Sequence, residues 1–179
     1  MNADSEPITE APLEAAAFDF DAVFRRDYAR MAKVIARIVS DPARAEELAA
    51  EMFWKLSQSL KAQGPNVSGW LYRSAVRRGL DELRKRQRRE KYERLFGVGR
   101  AIPTPEDLHF ENEAQRRVRA VLAKLKGIQA ELLVLRSEDF TYDEIARALD
   151  LNPASIGTLV RRAEEAFRKK YVRRYGQHE

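Results

Sequence analysis

The 179-residue chain has no cysteine and only two histidines, His109 and His178. The first absence excludes disulfide scaffolds, thiolate zinc sites and cysteine nucleophiles. The second leaves little from which to build a histidine metal centre or a histidine-based catalytic site. Carboxylates are plentiful, but no His, Cys or Ser constellation accompanies them. No catalytic residue, metal site or cofactor is therefore expected, and an enzyme is the least expected class. No apolar run approaches the roughly 18 residues of a membrane helix, so no membrane partner is expected. The first residues, MNADSEPITEAPLEAAAF, are acidic and lack the basic start of a secretory signal, which points to a cytoplasmic protein. Sustained period-two alternation is missing as well, so strands are not expected. What remains is a chain that is 44% hydrophobic, enough for a packed core, and long enough for one ordinary domain or two small ones.

Lys and Arg outnumber Asp and Glu by 33 to 28, and the excess is unevenly placed. Residues 1–69 carry 8 basic and 11 acidic groups, whereas residues 70–100 carry 11 and 4. The remainder is nearly balanced. One 31-residue segment thus outweighs the whole net charge of +5. A local block of this kind is the footprint of a phosphate-binding surface, although a solvated helix face has the same composition.

The periodicity is helical from residue 18 onward. Phe24, Tyr28, Met31, Ile35 and Ile38 form one apolar face. Asp41-Pro42 reads as an N-cap followed by proline at the first helical position. A second helix carries Leu48, Met52, Phe53, Leu56 and Leu60. Residues 63–69, QGPNVSG, break the pattern, and a third helix runs from near Trp70 to near Arg94. Gly97, Gly99 and Ile102-Pro103-Thr104-Pro105 mark a linker, with a new helix start at Thr104-Pro105. Val118, Val121, Leu122 and Leu125, then Ile128, Leu132 and Leu135, give further apolar faces. The expected fold class is all-α: two small helical domains joined by a flexible linker. The parts are a flexible arm at 1–17, a first lobe at 18–96, a linker at 97–105 and a second lobe at 106–175.

Residues 141–167 have the shape of a helix-turn-helix. Thr141-Tyr142-Asp143-Glu144 is a capping box that opens a short helix ending at Leu149. Asp150-Leu151-Asn152 supplies the turn, and Pro153 starts a second helix that buries Ile156, Val160, Ala163 and Phe167. Ala146 leaves room for a close crossing. In this motif the second helix enters the major groove with its N-terminal residues at the base edges. The outward positions there are Ser155, Thr158, Arg161 and Arg162. An ordinary helical hairpin would have much the same pattern.

Three stretches together carry a family resemblance over about residues 18–172. They are AEELAAEMFWKL at 45–56, WLYRSA at 70–75 continuing to LDELRKR at 80–86, and FTYDEIA at 140–146 with Arg162-Ala163. In this order and spacing they resemble the extracytoplasmic-function group of bacterial RNA polymerase sigma factors of the sigma-70 family. The resemblance implies that 18–96 is region two and 106–175 is region four. It implies a factor that directs core RNA polymerase to promoters and promotes DNA melting at transcription initiation.

It also implies roles for residues. Glu46, Glu47, Leu48, Glu51, Phe53 and Trp54 would dock on the clamp coiled coil of the polymerase's largest subunit, where acidic rim and aromatic anchor suit an interface. Packing of Leu48 and Phe53 in the core is the competing reading. Asn66, Trp70, Tyr72, Arg73, Arg77, Arg78, Arg84 and Arg86 would hold the opened minus-ten strand. Rings there would offset unstacking, arginines would meet phosphates, and Asn66 would read a base. Ser155, Thr158, Arg161 and Arg162 would read the minus-thirty-five duplex. Leu132, Leu133 and Leu135 would touch the flap of the second-largest subunit, unless they pack the core. Family members are often held inactive by an anti-sigma protein that clamps both lobes, so such a regulatory partner is among those implied.

The sequence departs from the family pattern at several positions. Gly157 and Leu159 stand where basic residues are common, Glu47 where aspartate is, Ala50 where glutamine is, and Arg77 where asparagine is. Weak, relaxed or partner-assisted minus-thirty-five readout is expected from the first two. Two other functions fit parts of the pattern. A free-standing helix-turn-helix regulator would bind duplex DNA without polymerase, but would have no use for the Trp-led basic helix. A degenerate sigma-like adaptor would bind polymerase and need a partner for promoter targeting.

Overall fold

The computed structural model describes residues 18–97 and 113–176. The arm at 1–17, most of the linker, the helix start at Thr104-Pro105 and both histidines lie outside the described residues. Among the described residues every regular element is a helix.

Helix α1 spans Phe20–Val39 and is capped by Asp19, whose side chain accepts from the Ala22 amide at 2.9 Å. It ends at Ser40, held at a φ of 54° with its amide returned to the Ala36 carbonyl. Asp41 then caps α2, Pro42–Ser57, by accepting from the Arg44 amide at 2.9 Å, with Pro42 in the first turn. Only two residues separate the helices, so α1 and α2 form a tight antiparallel hairpin. Met31, Val34, Ile35 and Ile38 of α1 pack with Leu48, Met52, Phe53 and Leu56 of α2. Phe20, Phe24 and Tyr28 gather around Phe53 with ring centroids 6.4, 5.2 and 5.4 Å away.

Helix α3, Val67–Phe96, begins three residues before Trp70 and is closed by Gly97 at a φ of 63°. Its first half packs the core through Leu71, Ala75, Val76, Leu80 and Leu83. Gly79 lets it cross α1 closely: a Cβ there would stand 2.8 Å from Ile38 Cδ1. Beyond Leu83 no residue of α3 is buried. This charged half stands away from the bundle, braced by the Arg86–Glu90 and Arg89–Glu93 pairs one turn apart.

The second lobe comprises α4 (Glu113–Leu122), α5 (Gly127–Ser137), α6 (Tyr142–Leu149) and α7 (Pro153–Tyr175). Val121, Leu125, Leu132, Leu135, Ile145, Ile156 and Val160 make its core. The two lobes do not stand apart. α3 packs on α5 and α6, and one continuous set of buried side chains runs through both lobes.

Candidate nucleic-acid interface

The residues expected to hold an opened strand share α3 and the turn before it, but their surroundings differ. Asn66 precedes the helix without capping it; its side-chain amide donates instead to the Arg147 carbonyl of α6 at 2.9 Å. Trp70 is partly buried against the core. Tyr72 is buried, with one face under the Arg30 guanidinium, 5.0 Å from the ring centroid, and Phe140 of the second lobe edge-on at 4.3 Å. The expectation that Tyr72 offers an open ring face is therefore not met in this arrangement. It sits on the inward side of the helix, one turn from Val76. Its hydroxyl has no hydrogen-bond partner, and burial pushes its pKa upward, Arg30 opposing.

The cations of the block are mostly paired. Arg77 donates through Nε to both carboxylate oxygens of Glu131 at 3.1 Å. Arg78 reaches Glu51 at 3.0 Å, Arg84 reaches Asp81 at 3.1 Å, and Arg86 reaches Glu90 at 3.1 Å. Arg73 is half-buried and has no ion pair among the described residues. The pairs at Arg84 and Arg86 are exposed and local, so a phosphate exchanges for them at little cost. The end of this helix lies beyond the residues expected to meet DNA. There Tyr92, Leu95 and Phe96 are exposed, the two rings 4.3 Å apart, amid Arg88, Arg89, Lys91 and Arg94. The signal was present as an aromatic pair four residues apart in a basic tract.

On α2 the candidates divide between two faces. Leu48 and Phe53 are buried, so they meet the core and cannot themselves reach a partner. Leu48 lies four residues before Met52, and Phe53 four after Ala49 and three before Leu56, which puts both on the inner stripe. Trp54 is 68% exposed. Glu46, Glu47 and Glu51 are exposed beside it. Arg44 draws Glu47 to 2.6 Å and Glu82 of α3 to 3.1 Å, which raises its own pKa. Glu51 is shared between Arg44 and Arg78. Leu132 and Leu135 are likewise core residues, and Leu133 is partly buried.

The helix-turn-helix is formed. Thr141 accepts from the Glu144 amide at 3.3 Å, and Glu144 accepts from the Thr141 amide at 2.8 Å. Asp150 turns the chain at a φ of 57°, and Asn152 caps α7 by accepting from the Ala154 amide at 3.0 Å. Thr158, Arg161 and Arg162 are exposed on α7, Arg161 paired with Glu165; Ser155 is half-buried and donates to the Asn152 carbonyl at 2.7 Å. Leu159 is partly buried against the core, whereas Gly157 faces the ring of Tyr142. The far end of α7 is basic and exposed at Arg168, Lys169, Lys170, Arg173 and Arg174, beside a ladder of Phe167, Tyr171 and Tyr175. The neighbouring acids Glu164 and Glu165 bring the surrounding sequence close to charge balance.

Among the described residues, no cluster of three or more His, Asp or Glu side chains could hold a metal ion. No described helix is long and apolar enough to cross a membrane.

Comparison with known proteins gives concordant matches. The family model for sigma-70 region 2 matches residues 23–89, and that for sigma-70 region 4 matches residues 115–167. A curated relative, the ECF RNA polymerase sigma factor SigK of Mycolicibacterium vanbaalenii, is 28% identical over 158 residues, 84% of this chain and 80% of the relative. A second protein of that name from Mycobacterium sp. strain KMS is 25% identical over 149 residues, 79% of this chain and 77% of the relative. Among solved structures, the sigma factor RpoE in complex with the anti-sigma factor NepR from Bartonella quintana shares the fold. Its TM-score is 0.50 at 19% identity, covering 85% of this chain and 96% of that one.

Proposed function

The chain belongs to the extracytoplasmic-function group of sigma-70-family RNA polymerase sigma factors, which direct the polymerase to promoters, and we propose how its surfaces divide that work. The family is one of non-enzymatic initiation factors. This chain accordingly acts by binding alone, without an active site of its own.

The outer face of α2 is the polymerase-docking surface. Trp54 is its anchor, and the exposed Glu46, Glu47 and Glu51 are its rim, the last two already partly neutralised by Arg44 and Arg78. Leu48 and Phe53 act from beneath by fixing the helix. The largest-subunit clamp coiled coil is the surface it meets, and the second-largest subunit's flap lies against the second lobe around Leu133.

Helix α3 is the minus-ten element's binding surface. Asn66 and Trp70 lie at its base-reading end, Tyr72 once uncovered adds a ring, and Arg73, Arg77, Arg78, Arg84 and Arg86 follow the phosphates. Unstacking costs a few kcal/mol per step, and each arginine–phosphate contact and stacked ring offsets part of it. Helix α7 faces the minus-thirty-five duplex with Thr158, Arg161 and Arg162, while Ser155 spends its hydroxyl on the helix cap. With Gly157 uncharged and Leu159 turned inward, that readout is weak.

The observation that carries this reading is the pairing, on one lobe, of an exposed Trp54 set among carboxylates with a basic helix whose second half stands clear of the core. Reconstitution with core polymerase, followed by sequencing of transcript starts from a genomic promoter library, tests it. Defined start sites that depend on the factor are expected. Co-purification with core but no initiation would point instead to the adaptor.

A further inference from the structure

We infer that the last two turns of α7 are a second, sequence-independent duplex-binding surface, on which Lys169 and Arg173 meet the phosphates that flank the bases faced by the start of the helix. The inference rests on the assignment of α7 to duplex DNA. It adds to that assignment the part of the helix past residue 167, where the match to sigma-70 region 4 ends.

The composition of that part is one-sided. Residues 166–175 hold five cations, Arg168, Lys169, Lys170, Arg173 and Arg174, and no acid. All five are exposed, and none has an ion pair among the described residues. Arg161, by contrast, is paired with Glu165. The helix dipole accounts for Arg173 and Arg174 in the final turn, but its influence does not extend to the turn before. Like charges also stand four residues apart, Lys169 with Arg173 and Lys170 with Arg174, which weakens the helix. A cluster that repels itself and finds no acid within the lobe is neutralised by an external polyanion.

The register of the helix selects which polyanion. Thr158, Arg162, Lys169 and Arg173 are successively four, seven and four residues apart, so they fall within about 60° of one another around the axis. The first two are positions expected to meet the duplex. A duplex that receives them is therefore faced by Lys169 and Arg173 as well, because α7 runs unbroken from Pro153 to Tyr175. At 1.5 Å per residue Arg173 stands about 22 Å from Thr158, against a major groove about 12 Å wide. A helix whose first turns enter the groove thus carries Arg173 out to its phosphate wall. The opposite side of the same turns is fixed to the lobe. Phe167, Tyr171 and Tyr175 form a ladder with ring centroids 5.9 and 5.3 Å apart, and the Arg117 guanidinium of α4 stands 5.3 Å from the Tyr175 centroid.

Phosphate contacts position a protein on a duplex, and base contacts specify the sequence. With Gly157 uncharged and Leu159 turned inward, the grip of this lobe comes from the end of α7, and the choice of promoter falls to the minus-ten strand.

The test uses the full chain, in anisotropy titrations on a promoter duplex and a scrambled one, between about 50 and 200 mM salt. The parent is compared with Lys169→Ala, Arg173→Ala, the double variant and Arg168→Ala. Arg168 carries the same charge but points at least about 100° away from the stripe, so it controls for net charge. Alanine favours the helix, and thermal melting of each variant checks that the fold is kept. The parent is expected to bind both duplexes and to weaken with salt. Lys169→Ala and Arg173→Ala should each lower the logarithmic salt slope by about one ion, which shrinks the affinity lost over that range about threefold, equally on both duplexes. The double variant should lose about two ions, and Arg168→Ala none. A double variant with the parent's slope overturns the inference, as does Arg168→Ala matching the stripe variants or a parent that binds neither duplex at the lower salt. Weaker co-sedimentation with core polymerase at unchanged duplex affinity gives the stripe to a protein partner and overturns it too. Run-off transcription with core polymerase on the same samples separates the two claims. Initiation by every variant with unaltered salt slopes leaves the sigma assignment standing and removes the surface. A parent that does not initiate removes the sigma assignment, while the salt slopes still decide the surface.

Discussion

Phe140 stands edge-on to Tyr72, ring centroids 4.3 Å apart and planes at 74°, one ring from each lobe. The contact buries the Tyr72 hydroxyl without a hydrogen-bond partner. Such a group costs about 1–3 kcal/mol of desolvation when left unsatisfied. Tyr72→Phe removes the group and keeps the ring, so it is expected to leave stability unchanged or raise it by about 1 kcal/mol in urea unfolding. The pH dependence has a definite sign. Burial raises the phenol above its ordinary value of 10.0. The unfolded chain therefore ionises first, and stability present below pH 10 declines as pH rises through the folded value. The parent should lose stability above pH 10 more steeply than Tyr72→Phe. Equal slopes would remove Tyr72 as the cause.

Neighbours on α2 are expected to separate stability from function. Phe53 is fully buried under three rings, and Phe53→Ala should cost about 3–5 kcal/mol and unfold much of the first lobe. Trp54, 68% exposed, contributes little to the fold. Trp54→Ala should keep the parent's melting temperature within a few degrees and weaken binding to core polymerase by about 2 kcal/mol or more, the loss typical of an interface anchor. Thermal melting and co-sedimentation with core enzyme measure the two effects on one sample. A variant that melts normally and still binds core at full strength would falsify the anchor role.

Local structure was legible because its causes are local. The cap at Asp41, the helix-starting prolines Pro42 and Pro153 and the box at Thr141 and Glu144 act within four residues, and each is present. The inward stripe of α1 followed from Met31, Ile35 and Ile38 for the same reason. The orientation of Phe53 against Trp54, two adjacent aromatics, depends on where the helix axis lies, and sequence gives that only to within a residue. The meeting of the lobes was invisible. Tyr72 and Phe140, or Arg77 and Glu131, are more than fifty residues apart, and no periodicity in one predicts the other. Yet one trace existed. Arg77 departs from the asparagine common in related factors, and it is the side chain that reaches across to Glu131.

The glycines of α3 and α7 should respond to alanine in opposite ways. At Gly79 a Cβ would lie 2.8 Å from Ile38 Cδ1 and 3.1 Å from its Cβ. The crossing of α1 and α3 has to widen. The overpacking, about 1–3 kcal/mol, outweighs the roughly 1 kcal/mol that alanine adds as a helix former. Gly79→Ala is therefore expected to lower the urea midpoint. At Gly157 the nearest atom, Tyr142 Cε2, would be 3.4 Å away, which is ordinary contact. Gly157→Ala is expected to raise the midpoint.

The first helix of the helix-turn-helix should loosen in acid. Hydrogen bonds from the Thr141 amide and hydroxyl hold the Glu144 carboxyl below its ordinary value of 4.5. A depressed carboxyl contributes stability that is present above the unfolded value and lost as pH falls through the folded one. Protection of the amides of 142–149, taken relative to the exchange rate of free amides at the same pH, should fall below pH 4.5 ahead of protection in α1. Glu144→Gln, uncharged at every pH, should flatten that difference. Should α6 and α1 open together in the parent, the cap is not what holds α6.

Gly157 also bears on duplex recognition. It lies on α7 between Ser155 and Thr158, near the end that a helix-turn-helix presents to the major groove. On α7 the exposed cations nearest to it are Arg161, paired with Glu165, and Arg162, and the Arg136 guanidinium lies over the Tyr142 ring that it faces. An arginine at 157 would have room for its Cβ, would replace a poor helix residue, and would extend past Tyr142 toward the groove. Gly157→Arg is expected to tighten binding to duplex promoter DNA by about 1–3 kcal/mol if it meets a base edge, with altered sequence preference. If it meets a phosphate instead, it should tighten all sequences alike and steepen the salt dependence by about one ion. Anisotropy titrations over a range of salt, on the cognate duplex and on a scrambled one, distinguish the two. No gain on either duplex would mean that this face of α7 does not approach DNA, and that minus-thirty-five contact is made elsewhere on the lobe, where the exposed cations from Arg168 to Arg174 are the next surface to neutralise.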